Sequence, residues 1–251
     1  MGWDDALLNA AGEHERGTRL ACVLVDKDAR PDAKLLQRLA ETGAFTISHG
    51  RSADAGWIEL LSDGLTFDLA GLSPGPSIPM PSIANWFGVE PVQPDCGVIT
   101  LSAGPHLAGA EHLLPVVRVA AALLASLAAL PGVRSLAWLP AASATRPDWF
   151  TTAIRAWNNG GPFPALALSA LERSAQGTLT SRGLNFLIGN EFRLTGCGDL
   201  APDDAARVAI RLTDWLVVNG TPETPREVQL DGAGAVWLAT GNDGTIEASR
   251  R

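Results

Sequence analysis

The chain has 251 residues, 46% hydrophobic and 18% charged, enough apolar side chain for a large core and too much for a disordered state. Its formal net charge is −8, with 19 Lys and Arg scattered among 27 Asp and Glu, which argues against a nucleic-acid partner, since phosphate backbones need clustered cations. Cys22, Cys96 and Cys197 are far apart and form no CxxC pair, so no structural zinc site, disulfide framework or cofactor is expected.

Residues 1–18 are polar and read as a loose arm. Asp4, Asp5, Glu13 and Glu15 stand where a secretory leader needs a basic start and an apolar run. With idle thiols, that points to the cytoplasm. Leu20–Val25 reads as an apolar strand. Asp32–Thr42 reads as a helix with Leu35, Leu36 and Leu39 on one face and Gly43 as its stop. Phe45–Ser48 is a short strand. Trp57–Leu61 and Leu65–Leu69 flank Ser62-Asp63-Gly64, and Asp-Gly between apolar runs signals a hairpin.

Pro74, Pro76, Pro79 and Pro81 then interrupt the pattern. Proline lacks the N–H that a ladder needs, so this stretch is a rigid extended crossing, either a domain linker or a strap on one domain's surface. Beyond it, Gly97–Ser102 is a buried strand. Leu113–Leu130 has the length of a membrane span, but Arg118 near its middle costs about 3 kcal/mol on insertion scales. A buried core helix is the reading, with no membrane partner. A strand over Ser135–Leu139 and a helix opening at Pro147 follow. Residues 165–171 and 178–194 are expected to hold three or four strands. Pro202-Asp-Asp opens an amphipathic helix closed by Asn219-Gly220, and a three-stranded meander over 227–248 ends the order.

Strands cluster into hairpins with helices between the clusters, which is an α+β pattern with mixed or antiparallel sheets and helices on one face. Residues 19–251 are read as a single domain, with 19–73 and 91–251 as two related halves joined by the strap 74–90 as the alternative.

The order of features over residues 74–220 resembles the bacterial domain-of-unknown-function family 4261. The resemblance rests on Ile78-Pro-Met-Pro81, the 97–102 strand, the 113–130 helix, Asp148-Trp-Phe, Pro164-Ala-Leu, and Gly183-Leu184 followed by Glu191-Phe192. Two features depart from that pattern. A glycine expected beside Leu187 falls at Gly189 instead, and Asp95-Cys96 replaces a His before the strand. The resemblance implies no activity, catalytic residue or cofactor; some members look like accessory or immunity-type proteins.

Glu191 lies near Arg182 and Arg193 in sequence. An Arg182–Glu191 fork at a recognition surface is the functional reading, and an exposed strand-end ion pair is the plain one. His106 and His112 are six apart, whereas zinc pairs on a helix sit four apart, so no metal site is expected. His49, with Asp26 or Asp54, could form a base and its orienter, but no GxSxG elbow supplies a serine. The glycine-rich Asn158–Gly161 and Leu230–Gly234 fit turns rather than phosphate loops. The chain has 8 Trp and no Tyr. Trp149 and Trp157 suit core packing on one helical face, while Trp86-Phe87 after the strap is the expected exposed pair and binding surface.

These residues support first a cytoplasmic, cofactor-free protein that binds another protein through Trp86, Phe87, Arg182 and Glu191. The alternative is a hydrolase or transferase with a site built from His49, His106, Glu191 and Arg182. A homo-oligomeric scaffold is the third.

Overall fold

The computed structural model describes residues 17–50, 55–92 and 95–250, so nearly all of the expected N-terminal arm lies outside the described residues. The architecture is α+β, with two mixed sheets of eight and six strands.

The first sheet takes β1 (Arg19–Val25), β2 (Thr46–Gly50), β3 (Trp57–Ser62), β4 (Leu65–Ala70), β5 (Asn85–Phe87), β6 (Gly97–Ala103), β7 (Val133–Trp138) and β8 (Ser143–Thr145). Their spatial order is β2-β3-β4-β6-β1-β7-β8-β5, antiparallel throughout except for the parallel β8–β5 pair. The β3–β4 hairpin turns on Asp63 and Gly64 at φ 49° and 78°, the left-handed pair of a type I′ turn.

Central β1 is apolar and buried from Leu20 to Val25, as suits a strand covered on both faces. Ala21, Val23 and Val25 face the helical core, while Cys22 and Leu24 face the other way. The helices on the core side are α1 (Ala33–Ala40), α2 (Leu114–Leu127) and α3 (Pro147–Asn158). Asp32 caps α1 by accepting from the Leu35 N–H, and Gly43 follows at φ 86°. Leu36 is fully buried, and Leu35 and Leu39 are partly buried against the same core. In α2, Arg118 lies over the Trp157 ring at 4.1 Å and donates to the Trp157 carbonyl at 3.1 Å. No helix among the described residues is long and apolar enough to cross a membrane.

The opposite face of the sheet is covered by the proline-rich strap. Ile78, Met80, Ile83 and Trp86 pack over Cys22, Leu24, Val98, Ala137 and Ala144. Strands from both sides of the strap interleave, with β1 lying between β6 and β7. Arg30 fastens this layer. Its guanidinium donates to the carbonyls of Gly71 (3.0 Å), Leu72 (3.0 Å), Gly75 (2.6 Å) and Pro76 (3.1 Å), and to the Ser77 hydroxyl (2.8 Å). The backbone crossing is tight: a Cβ on Gly75 would lie 2.4 Å from the Gly56 Cα, so glycine is required there.

The second sheet takes β9 (Ala170–Arg173), β10 (Leu179–Arg182), β11 (Phe192–Thr195), β12 (Arg226–Leu230), β13 (Gly234–Thr240) and β14 (Ile246–Arg250), in the order β12-β13-β14-β11-β10-β9. Two short helices, α4 (Ala165–Leu168) and α5 (Asn185–Ile188), replace strand expected over 165–168 and 185–188. Pro164 starts the first, and Gly189 at φ 82° ends the second, so local turn chemistry overrides the apolar runs. The long α6 (Pro202–Asn219) buries Val208, Leu212 and Leu216 against this sheet, with Trp215 partly buried. Buried apolar residues of both sheets belong to one continuous cluster.

Candidate binding surface

Glu191 precedes β11 and is tied to backbone rather than to arginine. Its carboxylate accepts from the Ser181 hydroxyl (2.5 Å) and from the N–H groups of Gly183 (2.6 Å), Leu184 (3.2 Å) and Asn185 (3.3 Å). Gly183 makes this possible: it sits at φ 85°, and a Cβ there would lie 2.6 Å from the Ala141 Cα. Ser181 also accepts from the Phe192 N–H at 2.8 Å. The Gly-Leu…Glu motif is therefore an internal brace. Arg182 turns to Glu172 across the β9–β10 pair at 2.6 Å, so the expected Arg182–Glu191 fork is corrected. Side chains alternate along a strand, which separates Arg182 from the Ser181 that reaches Glu191. The Arg182 hydrogen bond holds the Glu172 carboxyl below its usual range. Arg193 pairs with Glu247 at 2.6 Å.

The two candidate histidines meet the β3–β4 hairpin instead. His49 Nδ1 lies 3.0 Å from Glu59 Oε1, to which the Ser48 hydroxyl donates at 2.5 Å. The Ser48 hydrogen bond is the main cause of the lowered Glu59 pKa. His106 Nδ1 lies 3.1 Å from the Thr66 hydroxyl. Asp26, considered as a partner for His49, instead binds Arg134 at 2.6 Å, and Asp54 lies outside the described residues. Glutamate stands centrally between Ser48 and His49, so the histidine is not placed to take the serine proton, as nucleophile activation requires. His49 and His106 share no hydrogen-bond partner with Arg182 or Glu191 among the described residues. Among those residues, no group of three or more His, Cys, Asp and Glu could hold a metal ion.

Trp86 and Phe87 occupy β5, at the end of the first sheet. Their environments differ because neighbouring strand residues face opposite sides. Trp86 packs with the strap residues against the face of the sheet that carries Cys22 and Leu24, and it is half-buried, which corrects the expectation of an exposed pair. Phe87 is 42% exposed. Its ring lies 4.8 Å from that of Trp149 on α3, tilted by 59°. Between them and the Arg146–Asp148 ion pair opens a surface cavity of about 420 Å³, lined by Phe87, Gly88, Arg146, Asp148, Trp149 and Thr152. Arg146 keeps the Asp148 carboxyl ionised to below its usual pH range. The slot has an aromatic wall and a charged rim that is internally neutralised.

Sequence reading singled out Phe87 but not Trp149 as its partner. The contact joins a strand to a helix some sixty residues later, and no local signal reports it. Arg30 was missed for the same reason, because its acceptors lie more than 40 positions away. The chain matches no model of a known protein family, no curated protein and no solved structure.

Proposed function

We propose that this chain is a protein-binding module of accessory type that works in the cytoplasm without a cofactor, and that its binding surface is the Phe87–Trp149 slot. The observation that carries this reading is Phe87 itself. A large aromatic side chain stands 42% exposed at the end of a sheet, already oriented by a second aromatic ring. The exposed part of the Phe87 ring contributes little to folding, yet it offers contact area whose conformational entropy is already spent. Aromatic anchors of this kind dominate protein interfaces. The composite His/Glu/Arg site gains no comparable support, because Glu191 is saturated by internal donors.

The test is affinity capture of the tagged chain and its Phe87→Ser variant from the source cells, with mass spectrometry of what accompanies each. A stoichiometric protein present with wild type and lost with the variant is the expected result. A partner retained equally by both would remove the slot from the account.

A further inference from the structure

Resting on that reading, we infer that the slot's partner is an extended segment that adds as a strand to β5, placing one large apolar side chain against Phe87 and Trp149 and a basic residue toward Glu90. Three observations lead there.

The first is the state of the sheet edges. An unpaired edge is a template for another strand, and proteins blunt edges with charge, bulges or proline. On the first sheet, β2 has a register shift between Ile47 and His49, and Ser48 and His49 are tied to Glu59. On the second, edge β12 opens with exposed Arg226 and Glu227, and edge β9 ends with the charged pair Glu172-Arg173. Edge β5, Asn85-Trp86-Phe87, has no charge, no proline and no register shift.

The second is the direction of its free groups. The Asn85 N–H donates to the Ala142 carbonyl on the β8 side at 3.1 Å. Hydrogen-bonding direction alternates along a strand, so the Trp86 N–H and C=O face the open side. An incoming strand would pair there, and its side chains next to that position would reach the face that carries Phe87.

The third is charge. Beyond β5, Gly88 at φ 65° bends the chain away, and exposed Glu90 follows. Asp26 and Asp95, which line a cavity with Glu90, are paired with Arg134 and Lys27 of the same cavity. Glu90 has no cationic partner among the described residues. With a net charge of −8 on the whole chain, a basic side chain beside the apolar anchor is the complementary choice. A cavity of about 420 Å³ takes one or two large side chains, fewer than a folded domain's flat face would present. This strand mode of recognition draws affinity from main-chain hydrogen bonds and specificity from side-chain pockets.

The experiment is selection of displayed random dodecapeptides on the full chain, with counter-selection on a Phe87→Ser variant of matched circular dichroism and melting temperature. The expected peptides combine an apolar anchor with a neighbouring Lys or Arg. Their synthetic versions should bind wild type, and lose at least about tenfold on Phe87→Ser and about threefold on Glu90→Gln. N-methylation of the amide opposite Trp86, found by methylating each amide in turn, should also abolish binding, because it removes the main-chain donor. Peptides that need Phe87 but tolerate methylation at every amide would overturn strand addition and leave the slot intact. Peptides indifferent to Phe87→Ser, or no wild-type-specific peptides at all, would overturn the strand inference, and the cell capture above would judge the slot separately. Self-association of the wild type that Phe87→Ser abolishes would make a second copy the occupant and overturn the basic-peptide assignment.

Discussion

Arg30→Ala perturbs the contact that holds the strap to the sheet. The substitution deprives the carbonyls of Gly71, Leu72, Gly75 and Pro76 of a shared charged donor. Gly71, Leu72 and Gly75 are buried, so their carbonyls cannot turn to water unless the strap lifts. Each buried acceptor left without a partner costs about 1 kcal/mol or more, which gives roughly 3 kcal/mol for three. Relief of the guanidinium's own desolvation offsets part of that. In a domain of this size, about 3 kcal/mol lowers the melting temperature by roughly 6–12 °C. Lysine should rescue little, because a single ammonium cannot reach acceptors spread around a planar fork. Thiol reactivity reports where the damage falls. Cys22 lies under the strap, fully buried, and Cys96 lies at its margin. Cys197 belongs to the other core. Arg30→Ala should open Cys22 and Cys96 to an aromatic disulfide reagent while Cys197 stays closed. A variant melting within about 1 °C of wild type, with Cys22 still closed, would refute the pinning argument.

Three further substitutions test separate parts of the structure. Glu191→Gln should cost about 2 kcal/mol, since four donors then face an amide that carries hydrogens of its own; chemical denaturation should show it as a shifted midpoint with unchanged slope. Arg182→Ala breaks only the exposed pair with Glu172 and should cost less than about 1 kcal/mol, measured in the same way. Burial, reinforced by Cys96, pushes the Cys22 thiol up to about 12, whereas an unfolded thiol ionises near about 8.5. The unfolded chain therefore releases a proton that the folded chain keeps. The stabilisation is complete below the unfolded value and is lost as pH rises above it, by about 1.4 kcal/mol per unit from this residue. Cys22→Ala should flatten that alkaline slope in denaturant titrations between pH 9 and pH 11, a range uncluttered by tyrosine, which the chain lacks.

The sequence was most informative where local chemistry decides the structure. Continuous apolar β1, the Asp32 cap, the Asp63-Gly64 hairpin and Pro147 at the start of α3 each announce themselves within a few residues. The short α4 and α5 did not, because apolar runs of that length fit strand and helix equally, and Pro164 and Gly189 decide between them. The strap was recognisable as extended, but its role depends on contacts to β1, β6 and β7 across the fold. Alternation along β5 was likewise hidden until its pairing partner was known, so Trp86 and Phe87 read as one exposed pair although one faces in and the other out. The charges near Glu191 suggested an arginine fork because sequence proximity says nothing of side-chain direction. Its true partners are the Ser181 hydroxyl and three backbone amides, and no residue-type pattern reveals the amides.

The most direct test of the binding surface is titration calorimetry of the partner captured with the wild-type chain against wild type, Phe87→Ser and Trp149→Ala, each first shown to retain the wild-type melting temperature to within about 2 °C. Loss of at least about tenfold in affinity with both variants, some 1.4 kcal/mol or more, is the expected result. Unchanged affinity with both folded variants would contradict the account.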